Sequence, residues 1–473
     1  MKTCVVTFEP GHICVPTEKG TTLLQAQIMA GLRPDAPCGG RGSCGKCRVL
    51  TDAREVLACR TAVERDVTVL LPEKAEAVIL TADSGQTVEA DGESKYALAF
   101  DIGTTTIAGY LLGGKTGRQL ASASCLNPQA QYGADVISRI QYVLDGGAEE
   151  LKDCVRAALA DLTDRLTSGM GPVDMTAIAG NTAMHHLLLG IDPRPLVTPP
   201  YMPAVFQAME RPGLRVLPNI AGFVGGDTVG CMLAARFDRR EELTLLIDIG
   251  TNGEMVLGNR HRRMACSTAA GPAFEGAKIS CGMRGAEGAV DHVFLGNGRI
   301  DFHVIGDGEP AGLCGSGLLD LTAVLLELGQ IDESGALADD TYRLPGTSVV
   351  LTQRDVREVQ LAKAAIRAGI ELLARKMGVR VEDIREVLLA GAFGNYLTPA
   401  SACRIGMIPD CLLERIHPVG NAAGEGAKMC AVSRAAFVRA QTLAEETEFL
   451  ELASMPEFQD CFVDSMEFPE VMA

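Results

Sequence analysis

The sequence predicts two modules: a small α+β sheet domain at the N-terminus, then a larger, internally duplicated α/β domain. Three observations lead there. Four cysteines crowd a glycine-rich loop near the N-terminus. An Asp-Ile-Gly-Thr phrase occurs twice, at Asp101 and Asp248, 147 residues apart. The charge balance also changes along the chain, since residues 1–80 hold 10 Lys+Arg against 9 Asp+Glu and the remainder 33 against 51.

The 473 residues exceed one ordinary core and suggest two to four folding units. With 47% hydrophobic and 22% charged residues, the composition is that of a folded globular enzyme. The net charge of -17 repels phosphate backbones, and no basic stripe reverses it locally, so nucleic acid is not an expected partner. No apolar run approaches the roughly 20 residues a bilayer crossing needs, and MKTCVVTFEPG has no secretory apolar core. A cytoplasmic protein without membrane contact is expected, its 16 cysteines mostly reduced and buried.

In the first module, Cys4–Phe8 and Ile13–Val15 alternate around a Gly-containing turn and predict a β-hairpin. Thr21–Ala26 opens a helix that ends near Gly31, with Pro34 beyond it. Arg48–Thr51 and Val67–Leu71 complete a small β-grasp sheet with one crossing helix. The module spans 1–80, and 81–95 read as a linker. From Tyr96, strands alternate with Gly/Thr turns and helices, as in an α/β protein. The repeated phrase divides this body into homologous halves, 96–242 and 243–473.

Cys38, Cys44, Cys47 and Cys59 follow the pattern C-x5-C-x2-C-x11-C. Two sulfide-bridged irons need four thiolates, and the glycines between them let backbone wrap tightly and aim N–H groups at sulfur. Four thiolates also suit tetrahedral zinc, but zinc sites favour two matched short-spaced pairs. The spacing therefore favours a ferredoxin-type [2Fe-2S] cluster. Cys314, between glycines, is the other cysteine singled out, with burial as its simpler reading. His185 and His186 point about 100° apart on a helix, which suits a structural role better than joint ligation.

Each Asp-Ile-Gly-Thr phrase ends an apolar run, so its Asp closes a strand and its turn offers N–H and hydroxyl groups to phosphate oxygens. The Asp can hold Mg²⁺ through water. Asp101, Gly103, Thr104 and Thr105 form the first such unit, and Asp248, Gly250, Thr251 and Asn252 the second. Asp227 and Glu254 are further carboxylates near predicted turns that could orient water or Mg²⁺, or serve equally as solvated or structural carboxylates. Val387–Tyr396 is another strand running into a Gly-x-x-Gly turn, with Gly391 and Gly394 leaving room for a nucleoside.

Together these three turns resemble the superfamily that includes actin, sugar kinases, acetate kinase and chaperone ATPases. The resemblance covers about residues 96–441 and implies two RNase H-like subdomains closing over ATP. Gly420–Ala427 resembles its hinge-crossing helix, and a C-terminal helix is expected to return to the first subdomain.

A ferredoxin joined to an actin-like ATPase resembles one family, the reductive activators of corrinoid-dependent enzymes. The phrases CGGRGSCGKCRV, DIGTTT, AGNTAMHHLLLG, DIGTNGEM, AGPAFEG, LCGSG, AGAFGNY, VGNAAGEGA and MEFP carry the resemblance over nearly the whole chain. It implies ATP-dependent return of one electron, through the cluster, to an inactive Co(II) corrinoid, giving Co(I). The implied partners are a corrinoid protein of a methyltransferase system, a low-potential electron donor and a second copy in a homodimer. A plant-type cluster sits near about -400 mV, the cobalt couple lies lower, and each 59 mV is about a factor of ten in equilibrium constant. Coupling to ATP answers that gap. Two other readings are a small-molecule kinase with a redox-regulatory ferredoxin, and a non-enzymatic redox and ATP-binding sensor.

Overall fold

The structure is a computed structural model that describes residues 3–32, 34, 36, 40, 42, 46–52, 54–71, 88–133, 135–296 and 298–470. The N-terminal module contains β1 (Thr3–Glu9), β2 (Ile13–Glu18), α1 (Leu23–Met29), β3 (Arg48–Thr51), β4 (Arg54–Leu57) and β5 (Val67–Leu70). Its sheet order is β2-β1-β5-β3-β4, with β1 and β5 parallel and the other pairs antiparallel. α1 starts at Thr22, whose hydroxyl caps Gln25 N while the Gln25 side chain returns to Thr22 N, a reciprocal cap that satisfies two otherwise orphaned donors. Val6, Phe8, Leu23, Ala26, Val49 and Val69 form the centre of a core of its own.

Residues 81–87 of the expected linker lie outside the described residues. Residues 88–95 are laid against the larger body: Val88 is buried there and Asp91 N donates to Val432 O at 3.0 Å. A buried apolar anchor and a backbone hydrogen bond make this stretch part of the fold rather than a tether.

The first half of the body comprises β6 (Tyr96–Ile102), β7 (Thr106–Gly113), β8 (Gln119–Leu126), α2 (Val136–Leu144), α3 (Ala148–Thr167), β9 (Met175–Gly180), α4 (Thr182–Leu189), β10 (Met209–Arg211), β11 (Leu214–Val216) and α5 (Gly226–Ala234). The second half begins with β12 (Thr244–Ile249), β13 (Gly253–Gly258) and β14 (Arg263–Thr268). Then come β15 (Ala289–Gly296), β16 (Arg299–Val304), β17 (Gly312–Leu313), α6 (Gly315–Glu327), β18 (Thr341–Arg343), β19 (Val350–Thr352) and α7 (Gln353–Met377). It closes with β20 (Glu386–Ala390), α8 (Gly391–Tyr396), α9 (Pro399–Arg404), β21 (Ile416–Gly420), α10 (Ala422–Val432), α11 (Arg434–Glu445), β22 (Glu448–Phe449) and α12 (Pro456–Asp464).

The main sheets are ordered β10-β11-β9-β6-β7-β8 and β21-β20-β12-β13-β14-β22. In each, a parallel neighbour (β9 or β20) flanks the first strand of an antiparallel meander, so the duplication expected from the repeated phrase extends to topology. A core between the sheets takes residues from both, including Ala99, Tyr110, Leu246, Val256, Leu388 and Ala427.

The element that crosses between the halves is α10, followed by α11. α10 packs on α5, β6 and β9. Side chains at Gly230 of α5 and Gly426 of α10 are excluded, since a Cβ on Gly426 would stand 2.2 Å from Gly230 O. The last helix, α12, instead packs on α7 of the second half, because its apolar face, with Cys461 buried, meets that helix. The return to the first half is made by the earlier, small-residue helix. Among the described residues no helix is long and apolar enough to cross a membrane.

Candidate functional site

Each half presents its carboxylate in the same way. β6 turns back into β7 through Gly103–Thr105, and β12 into β13 through Gly250–Asn252. The glycine N–H closes each turn, donating to Thr106 O and to Asn252 O, at 2.9 Å in both cases. Strand register sets Asp101 opposite Ala179 of β9 and Asp248 opposite Ala390 of β20. Both of those strands run into helices. A second internal echo underlies this, Ile178-Ala179-Gly180-Asn181 matching Leu389-Ala390-Gly391-Ala392.

The four predicted carboxylates come together, two from each half. Asp227 lies in the first turn of α5 and Glu254 near the start of β13. Each keeps part of its surface open to the cleft, yet packed protein encloses its other sides, so desolvation dominates. Burial pushes Asp101 up to about 7; the Asn421 hydrogen bond opposes this and the charge of Asp248 adds to it. Burial and then Asp248 raise Asp227 to about 7. Asp248 is raised to about 6 by burial, opposed by the Cys231 thiol, which lies 3.7 Å from its Oδ2. Glu254 is raised as well, by burial and then by Asp227 and Asp248. Four acids repelling one another in a partly desolvated cleft form a strong field for a divalent cation. Among the described residues no three His, Cys, Asp or Glu side chains converge tightly enough to hold a metal directly. A cation here fits water-mediated binding, which Mg²⁺ favours.

A polar scaffold fixes the turns. Asn421, the N-cap of α10, donates from Nδ2 to Asp101 Oδ2 (3.0 Å) and to the Tyr110 hydroxyl (3.1 Å). Arg139, fully buried, donates to Thr104 O at 2.6 Å, while Asn181 Nδ2 donates to Thr104 Oγ1 at 3.0 Å and Asn127 Nδ2 to Gly103 O at 2.8 Å. Glu275 spans the cleft: Thr105 Oγ1 donates to its Oε2 (3.1 Å) and Thr251 Oγ1 to its Oε1 (2.9 Å). Thr105 and Thr251 thus meet on one carboxylate, Thr104 is held by Asn181 and Arg139, and Asn252 contributes its backbone carbonyl to the turn.

At the third turn, Gly391 has φ +85°, and a Cβ there would stand 2.5 Å from Asp248 Oδ1. A Cβ on Gly394 would stand 3.3 Å from Leu389. Phe393 stacks on Phe274 with centroids 4.7 Å apart. The glycines let this strand-to-helix junction pack closely against Asp248 and Leu389.

Sequence reasoning missed Glu275, Asn421, Asn181 and Arg139 as site residues. The phrases AGPAFEG, VGNAAGEGA and AGNTAMHH contain the first three, but their partners lie between 24 and 320 residues away. Arg139 carries no local signal. His185 and His186 serve the scaffold: His186 Nδ1 lies 2.7 Å from Thr182 O and its Nε2 accepts from Ala204 N. Cys314 is buried at the start of α6, 3.3 Å from the Ser316 hydroxyl.

In the N-terminal module Cys38 and Cys44 lie outside the described residues. Cys47 is buried and Cys59 half-buried. Ala58 N donates to Cys47 O at 2.8 Å, which holds the two cysteine-bearing segments side by side. Gly40 and Gly42 take φ values of +82° and +74°, and a Cβ on Gly40 would approach Leu24 to 3.0 Å. Cys47 and Cys59 thus lie on neighbouring segments, with the left-handed Gly40 and Gly42 in the loop before Cys47.

Comparison with known proteins places this geometry. Residues 96–240 match the RACo middle region, and residues 242–473 match the C-terminal domain of RACo, the ASKHA domain. The chain is 34% identical over 418 residues to the corrinoid activation enzyme RamQ of Eubacterium limosum, covering 79% of this chain and 70% of that protein. The chain belongs to the family of reductive activators of corrinoid proteins. It is 25% identical over 357 residues to the [Co(II) methylated amine-specific corrinoid protein] reductase of Methanosarcina barkeri, covering 66% of each. The solved structure of a reductive activator for corrinoid, iron-sulfur protein superposes with a TM-score of 0.72 at 28% identity, over 99% of this chain and 98% of that one. As a family member the chain is an enzyme, and its larger body is an actin-like ATPase fold of the ASKHA type.

Proposed function

We propose that this activator carries one electron from a low-potential donor to a corrinoid protein, converting Co(II) to Co(I) in a manner coupled to ATP hydrolysis. The observation that carries the ATP half of this reading is the meeting of Asp101, Asp227, Asp248 and Glu254 between two phosphate-type turns and the Gly391 junction. The electron half rests on the Cys47 and Cys59 segments, joined by the Ala58 N to Cys47 O hydrogen bond beside a five-stranded sheet with the strand order of a β-grasp ferredoxin. When bound, a [2Fe-2S] cluster supplies one-electron redox chemistry and Mg²⁺–ATP supplies hydrolysis free energy.

The chain's own residues have distinct tasks in this reading. Thr104, Thr105, Thr251 and the N–H groups of both turns hold phosphate oxygens. Gly391 and Gly394 admit the nucleoside, and the four acids hold a hydrated cation and orient water. Cys38, Cys44, Cys47 and Cys59 hold the cluster, with the intervening glycines keeping its backbone cage tight. α10 lets the halves turn against each other, because its contact with α5 is backbone against backbone.

The test is anaerobic absorbance of a Co(II) corrinoid protein mixed with this chain, a low-potential reductant and Mg²⁺–ATP. Conversion to the Co(I) spectrum only when ATP is present is the expected result. Equal conversion without ATP, or none with any corrinoid protein of the donor organism, refutes it.

A further inference from the structure

The carboxylate of Glu275 takes the hydroxyls of Thr105 and Thr251, one from each phosphate turn, at 3.1 and 2.9 Å. Those are hydroxyls that phosphate oxygens would need. A carboxylate and a phosphate are both anionic acceptors, so they compete for the same donors and repel each other at close range.

Glu275 is also held on a stiff turn. Pro272–Glu275 form one turn of 3-10 helix, flanked by Gly271 (φ +79°) and Gly276 (φ +73°). A Cβ on Gly276 would stand 2.4 Å from Met283 O, and one on Gly282 would stand 2.4 Å from Gly276 O. Leu313 N and O pair with Cys281 O and Met283 N at 2.8 Å. Displacing Glu275 therefore strains or moves residues 276–283 as a unit. That unit reaches the N-terminal module, where the Gly282 carbonyl accepts from Lys46 Nζ, and Lys46 immediately precedes Cys47.

We propose that Glu275 is a positioning residue that occupies the phosphate donors in the nucleotide-free enzyme and, once displaced by phosphate, signals through residues 276–283 to the cysteine loop. This rests on the nucleotide-binding reading above. It requires that part of the phosphate binding energy be used to break the Glu275 contacts.

The test uses the full-length chain with its N-terminal centre intact. Binding of a Mg²⁺-bound non-hydrolysable ATP analogue and of adenosine is compared for wild type, Glu275→Ala and Glu275→Gln. Losing hydrogen bonds to a charged acceptor in the competing state should tighten analogue binding by about tenfold in both variants, with adenosine binding unchanged. Glu275→Gln is nearly isosteric and decides the matter if the alanine variant does not fold. Amide hydrogen exchange over 276–283 supplies the second readout. Analogue should raise exchange there in wild type, and Glu275→Ala should show the raised level without analogue. Unchanged or weaker analogue binding in the variants, or exchange that the substitution does not alter, overturns the inference. If wild type binds adenosine and analogue not at all, the nucleotide-binding reading fails as well; tight wild-type binding that ignores residue 275 sinks this inference alone.

Discussion

Asp101→Asn should stabilise the nucleotide-free protein, and by an amount that grows with pH. The substitution keeps an oxygen to accept from Asn421 Nδ2 and removes one of four mutually repelling acids. Asp101 is raised from 3.8 to about 7. At about 1.36 kcal/mol per pKa unit this is on the order of 4 kcal/mol above pH 7, an upper bound because the side chain is part-open to the cleft. The folded value lies above the unfolded one, so between the two the folded state holds a proton that the unfolded state has released. The stabilising contribution is present below the unfolded pKa and is lost as pH rises through about 7. Wild type should therefore weaken across this window more than the variant does. Urea denaturation in EDTA at several pH values between 4 and 8 measures the difference. A variant no more stable than wild type at pH 8, or an advantage that does not grow with pH, refutes the reasoning.

Gly426→Ala places a Cβ 2.2 Å from the backbone oxygen of Gly230, where nothing flexible can give way; we expect a loss of about 1–3 kcal/mol, typical of overpacking, measured as a lower denaturation midpoint. Cys47→Ser or Cys59→Ser should abolish visible absorbance and lower bound iron in protein prepared anaerobically. Wild type holding zinc in place of iron and sulfide would refute the cluster assignment.

Much of the fold was legible because its signals are local. Each Asp-Ile-Gly-Thr phrase terminates an apolar strand, and the hairpin that follows is dictated by the next dozen residues. β4 was not visible: Arg54 and Glu55 face solvent and Val56 and Leu57 are only half-buried, which leaves no alternation to read. The N-cap of α1 falls at Thr22 rather than at Thr21, since it is the Thr22 hydroxyl that caps Gln25. The four acids could be named from strand ends and turns, but Glu275 could not, because its role comes from bridging Thr251 and Thr105, 24 and 170 residues away. The crossing helix showed itself through small residues, whereas the docking of α12 depends on α7, which the tail sequence does not reveal.

The core between the two sheets has a consequence for how the chain is made. Its members run from Val88 and Ala97 to Leu443 and Ala444, so the first half of the body is sealed by helices synthesised only after most of the second half. Until α10 and α11 arrive, the faces of α5, β6 and β9 that they cover lie bare. The N-terminal module closes its own separate core with residues up to Val69, so it is free to fold early. The chain thus has an early-folding head and a body whose long-range contacts delay completion, the situation in which nascent chains are most exposed to aggregation.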